Sequence, residues 1–210
     1  MAGAIVIAGS DRVGDRSTTS QAGSFVPGPT VADMIVLPET TESTPVSISA
    51  TAASSASVDN RPLAIGDAVM LGAAHLLTRR GVSVDASPSQ YVADVVALIE
   101  ELQAAGTLSE SVIIHTGNNG AATDIELNRL FTVLASVQQV IVMTIHPDRP
   151  WTAGANDRMI AAAQHFPNIR ILDWDAAAAA CGGCFEADGV LLSTQGRSLY
   201  TQLILEALAQ

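Results

Sequence analysis

Beyond residue 60 the chain alternates short apolar runs with stretches whose apolar positions recur three and four residues apart. Leu63-Ala64-Ile65, Val82-Ser83-Val84, Val112-Ile113-Ile114, Val140-Ile141-Val142-Met143 and Ile169-Arg170-Ile171-Leu172 read as five short strands. The helical period lies between and after them. Val69 to Leu77 forms an apolar helix, and Val92, Val95, Val96, Ile99 and Leu102 fall on one face of a second, which Gly106 terminates. A third runs from about Asp124 to Leu134, Met159 to Ala163 belongs to a fourth, and Tyr200, Leu203, Ile204, Ala207 and Leu208 line one face of a closing helix. Strands and helices in strict alternation imply a five-stranded parallel sheet covered on both faces, a three-layer α/β/α fold of flavodoxin-like type. Ligands of such sheets bind outside the carboxyl ends of the strands. The turns after Ile65, Val84, Ile114 and Leu172 are therefore expected to share one rim.

Residues 1–60 have a different texture and form a separate polar arm in front of a domain at 61–210. Thr40-Thr41-Glu42-Ser43-Thr44-Pro45 and Thr51-Ala52-Ala53-Ser54-Ser55-Ala56-Ser57 are typical of it. Such composition buries too little apolar area to offset the entropy of ordering, so it reads as linker. Val31 to Leu37 is an apolar patch within it, expected to pack on the domain. The opening Ala2-Gly3-Ala4-Ile5-Val6-Ile7-Ala8 reads either as the end of a membrane helix or as a strand. No apolar run approaches the roughly 20 residues that cross a bilayer.

The 210 residues are 48% hydrophobic, enough for a core, and carry a net charge of −11. An excess of negative charge repels phosphate backbones, which argues against nucleic acid as a partner. Two cysteines are too few for a thiolate zinc site, and no metal or cofactor motif is present. Cys181-Gly182-Gly183-Cys184 reads first as a small structural disulfide. Free thiols or a redox dithiol are the alternatives.

The turns carry the candidate chemistry. Gly66-Asp67-Ala68-Val69-Met70 joins the first strand to its helix. Asp85-Ala86-Ser87-Pro88-Ser89-Gln90 follows the second, and His115-Thr116-Gly117-Asn118-Asn119-Gly120 the third. Asp188-Gly189-Val190-Leu191-Leu192-Ser193 precedes the last helix. In order and spacing these turns resemble those of the SGNH hydrolases, and closely the extracytoplasmic domains of bacterial membrane O-acyltransferases of the peptidoglycan O-acetyltransferase type. Trp151 and Asn156 match a Trp-x(4)-Asn stretch of that branch. The resemblance covers about residues 61 to 210.

It implies roles that this chain does not fill. The first turn of the family reads Gly-Asp-Ser-Val-Met, with the serine as acyl-accepting nucleophile, and here Ala68 stands in its place. The family's base is the histidine of Asp-Gly-Val-His-Leu-Thr, and here it is Leu191. The second turn lacks the glycine whose amide helps to hold an oxyanion. Asn119, at the family's oxyanion asparagine, and Asp188, at the carboxylate that orients the histidine, remain. Acyl transfer through serine needs a hydroxyl, a base within reach and a group holding that base. Departures in three separate turns fit a natural, degenerate site better than a single inactivating substitution.

The resemblance therefore implies a pseudoenzyme: a catalytically silent domain outside the cytoplasm, tethered by the arm to an integral-membrane acyltransferase. It would bind or position an envelope glycan or glycolipid acceptor, with Asp67, Asn118, Asn119 and Trp151 as binding residues. Two other readings stand beside it. One is an active esterase or O-acyltransferase using Ser87, Ser89 or a Cys181 thiolate. The other is a protein-interaction domain docking a partner at the rim. Structural roles are also open to the same residues: Asp67 as a helix N-terminal acid, Asn119 and Asp188 as turn residues, His115 as a hydrogen-bonded core histidine. His146 and His165 read as isolated surface positions.

Overall fold

In the computed structural model, which describes residues 60–210, five strands form one parallel sheet in the order β2-β1-β3-β4-β5. The strands are β1 (Leu63–Gly66), β2 (Ser83–Ala86), β3 (Ser111–His115), β4 (Gln139–Met143) and β5 (Ile169–Leu172). The helices are α1 (Ala68–Arg79), α2 (Val92–Ala105), α3 (Asp124–Val133), α4 (Thr152–Ala163), α5 (Trp174–Ala180) and α6 (Thr194–Leu208). The expected doubly wound, three-layer architecture is what the chain adopts. The expectations for Ala2 to Ala8 and for Val31 to Leu37 fall outside the described residues.

Strand alternation decides which residues feed which core. Ile65, Val112, Ile114, Val140 and Val142 point to one face, where they meet Val95, Val96 and Ile99 of α2, Leu127, Leu130 and Phe131 of α3 and Met159 of α4. Ala64, Ile113, Ile141 and Met143 point to the other, against Val69, Met70, Ala73 and Leu77 of α1, Trp174 of α5, and Tyr200 and Ile204 of α6. Both faces are covered, which is why the strands read as nearly unbroken apolar runs. Side-chain oxygens mark several helix starts: those of Asp67, Thr123, Asp173 and Ser193 each accept a backbone N–H of the first turn. Gly106 closes α2 as expected. Its φ of 67° is left-handed, and Thr107 N donates to Leu102 O at 2.9 Å in a Schellman-type turn.

Two helices depart from the pattern. α4 begins at Thr152, well before Met159, and α5 has no counterpart among the sequence expectations. The run Ala176 to Ala180 carries no contrast between apolar and polar positions, so period gives no signal there. Alanine propensity and the Asp173 cap form the helix instead.

Cys181 and Cys184 are joined, with Cα atoms 5.6 Å apart, so the structural disulfide holds and neither free thiols nor a Cys181 thiolate are present. The closed loop is short, and its chain-entropy contribution is only about 2 kcal/mol. Cys181→Ser/Cys184→Ser is therefore expected to lower unfolding free energy by about that amount and still fold. A urea transition showing complete loss of structure would contradict this.

Candidate functional site

The sheet order reverses between β1 and β3, and that switch point is where α/β sheets open a crevice. Gly66 pairs with His115 there. A Cβ on Gly66 would lie 2.7 Å from the His115 carbonyl oxygen and 2.9 Å from the Met70 side chain, so only glycine lets the strand ends and α1 approach so closely. Asp67 follows, wholly buried, its own N–H donating to His115 O at 3.2 Å. Its carboxylate accepts Val69 N at 3.1 Å, capping α1, and Asn118 N at 3.3 Å. The Asn118 side-chain amide donates to both carboxylate oxygens, at 3.0 and 2.8 Å. Ligand contact was expected at Asp67 and Asn118. Asp67 exposes no surface, and the two side chains bind each other, fastening the first turn to the third.

Ala68 sits beside this clasp and lines a cavity of about 610 Å³ together with Leu71, Pro88, Glu186, Leu191 and Arg197. Leu71 and Leu191 remain 43% and 44% exposed, so the wall they form is open and apolar. Ala68 and Leu191, which the resemblance sets at the nucleophile and base positions, thus face one cavity although 123 residues of sequence number separate 68 from 191. Asn119 reaches the same wall from the third turn. Its Nδ2 donates to Pro88 O at 3.0 Å and to Gln90 O at 3.2 Å, which engages both amide hydrogens within the second turn. Asp188 is exposed, and its Oδ1 accepts the backbone N–H groups of Val190 and Leu191, each at 2.9 Å. Those two amides hold its carboxyl below the usual aspartate range. Trp151 is half-buried with its indole N–H donating to Gly117 O at 3.2 Å. Asn156 closes on Ile145, accepting its N–H at 2.9 Å and donating to its carbonyl at 2.8 Å.

No family model matches the chain. The peptidoglycan O-acetyltransferase OatA of Listeria monocytogenes is 27% identical over 155 residues, 73% of this chain and 25% of that protein. The chain spans about a quarter of the length of the curated relatives it matches. The C-terminal catalytic domain of Streptococcus pneumoniae OatA superposes with a TM-score of 0.65 at 22% identity, over 71% of this chain and 93% of that one. A GDSL-like lipase of Bacteroides thetaiotaomicron gives 0.59 at 17% identity, over 72% and 88%. The fold is that of these two structures, and the sequence is similar to that of peptidoglycan O-acetyltransferases.

The side chains lining the cavity beside Ala68 include one carboxylate and one guanidinium, but no hydroxyl, thiol or imidazole. Arg197 is half-buried, held by Nε donating to Leu192 O at 3.0 Å. Neither Arg197 nor Glu186 stands out in sequence, because each is one charged residue in a loop or helix start, and only the fold of residues 184–197 brings them beside Ala68.

Beneath the clasp lies a buried polar pair. His115 Nδ1 is 2.8 Å from the Tyr200 hydroxyl. Burial raises the Tyr200 phenol well above its ordinary value, with the Asp67 charge adding to it, so the phenol stays protonated and donates to a neutral ring. Burial pushes the His115 imidazole below its usual 6.5, against the opposing pull of the Asp67 charge and the Thr144 backbone. The unfolded chain thus takes up a proton at His115 that the folded one refuses. Stability is fully present above pH 6.5 and declines as pH falls below it, by at most about 1.4 kcal/mol per pH unit from this group. Imidazole ¹⁵N shifts of His115 are expected to stay those of a neutral ring as pH passes down through 6.5. Titration of the folded-state signal at that pH would contradict the assignment.

His146 is not the isolated surface residue the sequence implied. Its Nδ1 lies 2.7 Å from Asp175 Oδ1 and its ring stacks on Phe185 at 5.0 Å and 11°. Sequence carries no signal for this, because the pair joins the turn after β4 to the first turn of the unforeseen α5. His165 is exposed, as expected.

Proposed function

We propose that residues 61–210 are the catalytically silent, extracytoplasmic SGNH-like part of a membrane O-acyltransferase, preceded by a polar arm at 1–60, and that the rim binds or positions an envelope glycan or glycolipid acceptor. One observation carries the silence: Ala68 and Leu191 face a common cavity whose lining has no hydroxyl or thiol to attack and no imidazole to activate one. Homology to peptidoglycan O-acetyltransferases supports peptidoglycan as the acceptor class. The disulfide fits an oxidising compartment. No helix among the described residues is long and apolar enough to cross a membrane, so anchoring would rest with the attached acyltransferase part.

The active-enzyme reading has less support. Cys181 is bonded to Cys184, and neither Ser87 nor Ser89 has a hydrogen bond to a histidine among the described residues. The native chain should hydrolyse small acetyl esters no faster than buffer does. Soluble peptidoglycan fragments should shift the amide resonances of Ala68, Leu71, Leu191 and Arg197, and Leu191→Asp should abolish those shifts. Turnover that labels a rim serine with a covalent inhibitor would replace this reading with an active esterase. Absence of fragment binding would remove the acceptor role.

A further inference from the structure

α1 and α6 both start at the rim and pack side by side. Between their far halves lies a second cavity, of about 700 Å³, walled by Leu76, Arg79, Arg80, Thr201, Leu205 and Glu206 among others. Arg79 is about 17 Å from Ala68 along α1 at 1.5 Å per residue, so the two cavities are separate.

Two adjacent cations line this cavity in an acidic chain. It has ten arginines, no lysine and a net charge of −11. Arg129 pairs with Glu100, Arg158 with Asp124, and Arg170 with Ala207 O and Gln210. The guanidinium groups of Arg79 and Arg80, like that of Arg149, have neither a hydrogen bond nor an ion pair among the described residues. The acid on the same wall, Glu206, accepts from Gln202 Nε2 at 2.8 Å rather than from either arginine. Thr201 is 6% exposed, and its Oγ1 is buried without a partner. A helical threonine ordinarily returns its hydroxyl to the preceding turn, and this one does not. Thr201 is also one of the residues lining the cavity. The helix dipole accounts for basic residues in the last turn of α1, but for neither the cavity beside them nor the orphaned hydroxyl.

We infer that this groove binds a phosphate-bearing ligand. Two guanidinium groups and one hydroxyl offer donors to three phosphate oxygens, whereas a carboxylate would be satisfied by a single arginine. Leu76 and Leu205 supply apolar contact for the carbon skeleton next to the phosphate. The phosphate could belong to a soluble ester or to a lipid headgroup. The long-range field of a protein this acidic opposes an anionic bilayer surface, which favours the soluble ester.

The test uses the full chain, ¹⁵N-labelled and titrated with glycerol 3-phosphate, with glycerol as the uncharged comparator. Saturable shifts confined to Leu76–Arg80 and Ser198–Glu206 are expected with the phosphate and not with glycerol. Raising the salt concentration should weaken them. Arg79→Gln/Arg80→Gln should lower the affinity about tenfold or more, as two charge-assisted contacts are lost, with the thermal midpoint essentially unmoved. Thr201→Val should weaken binding a few-fold without loss of fold, since the hydroxyl makes no bond in the free protein. Flotation with phosphatidylglycerol vesicles, lost in the double arginine variant, would assign the phosphate to lipid. Saturable shifts without flotation would assign it to a soluble ester. An unsaturated titration in both arms, or an affinity unchanged in the double arginine variant, overturns the inference whatever happens at the rim.

Discussion

Ala68→Ser combined with Leu191→His is expected to raise hydrolysis of a small acetyl ester by up to about 10² over the native chain, a ceiling that follows from two opposing magnitudes. Loss of a serine nucleophile or its base costs on the order of 10⁶ in turnover, and the paired change restores both on one cavity wall. Against that gain stands the oxyanion hole, where each missing donor costs roughly 10²–10³. Two donors are compromised here. The second turn has no glycine, and the Asn119 amide hydrogens are engaged by Pro88 O and Gln90 O. Asp188 can still orient a new imidazole, because the amides of Val190 and Leu191 are on Oδ1 and leave Oδ2 open. Groups that act as a unit are strongly non-additive, so either single change should remain at the native rate. Initial rates with p-nitrophenyl acetate test this. A single variant matching the double one would mean that the new serine or histidine works with some other partner. No gain in a folded double variant would put the loss in the second turn and Asn119, whereas a structure of that variant with the serine and histidine beyond hydrogen-bonding distance would end the idea of a decayed triad.

Much of this was legible in the sequence, for identifiable reasons. A buried parallel strand has apolar residues on both faces, so Val112 to Ile114 and Val140 to Met143 announce themselves as runs. α2 announces itself by period and by the glycine that ends it. Three of the four turns were legible because each is a short local motif at a strand end, which the sheet topology places on one rim, whereas Asp188 to Ser193 lies beyond α5 at the start of α6 and was legible only as a motif. What sequence could not give was the state of the side chains within that rim. Asp67 and Asn118 read as binding residues, and in the structure their side chains bind each other; Asn119 reads as an oxyanion donor, and its amide donates to the second turn. These are contacts between segments 29 to 51 residues apart, invisible to any local pattern. The same holds for His146 with Asp175 and for the cavity that Arg79, Arg80 and Thr201 line together. α5 was missed for the opposite reason: a run of alanines has propensity but no pattern.

The start of α6 sets the second large effect, because Gly196 tolerates no side chain. A Cβ placed there would fall well inside van der Waals contact of the Cys184 carbonyl oxygen and 2.9 Å from its carbonyl carbon. Both obstacles are backbone, and Cys184 is fixed by the disulfide and by Ser193 N donating to its carbonyl at 2.9 Å. Alanine would improve intrinsic helix propensity by about 1 kcal/mol. Overpacking a rigid contact costs about 1–3 kcal/mol and sometimes more, and here neither partner can rotate aside, so the clash decides the sign. To relieve it, α6 must move outward, which loosens Tyr200 and Ile204 against α1 and breaks the register of Leu191 over Ala68. Gly196→Ala is therefore expected to lose about 3 kcal/mol or more and to lower the thermal midpoint by roughly 6–12 °C for a domain of this size. It should also weaken any ligand bound at the rim. Thermal unfolding followed by circular dichroism reads the first effect. A midpoint within a degree or two of the native chain would mean that the Cys184 loop yields freely, and the rim would then be adjustable instead of preorganised.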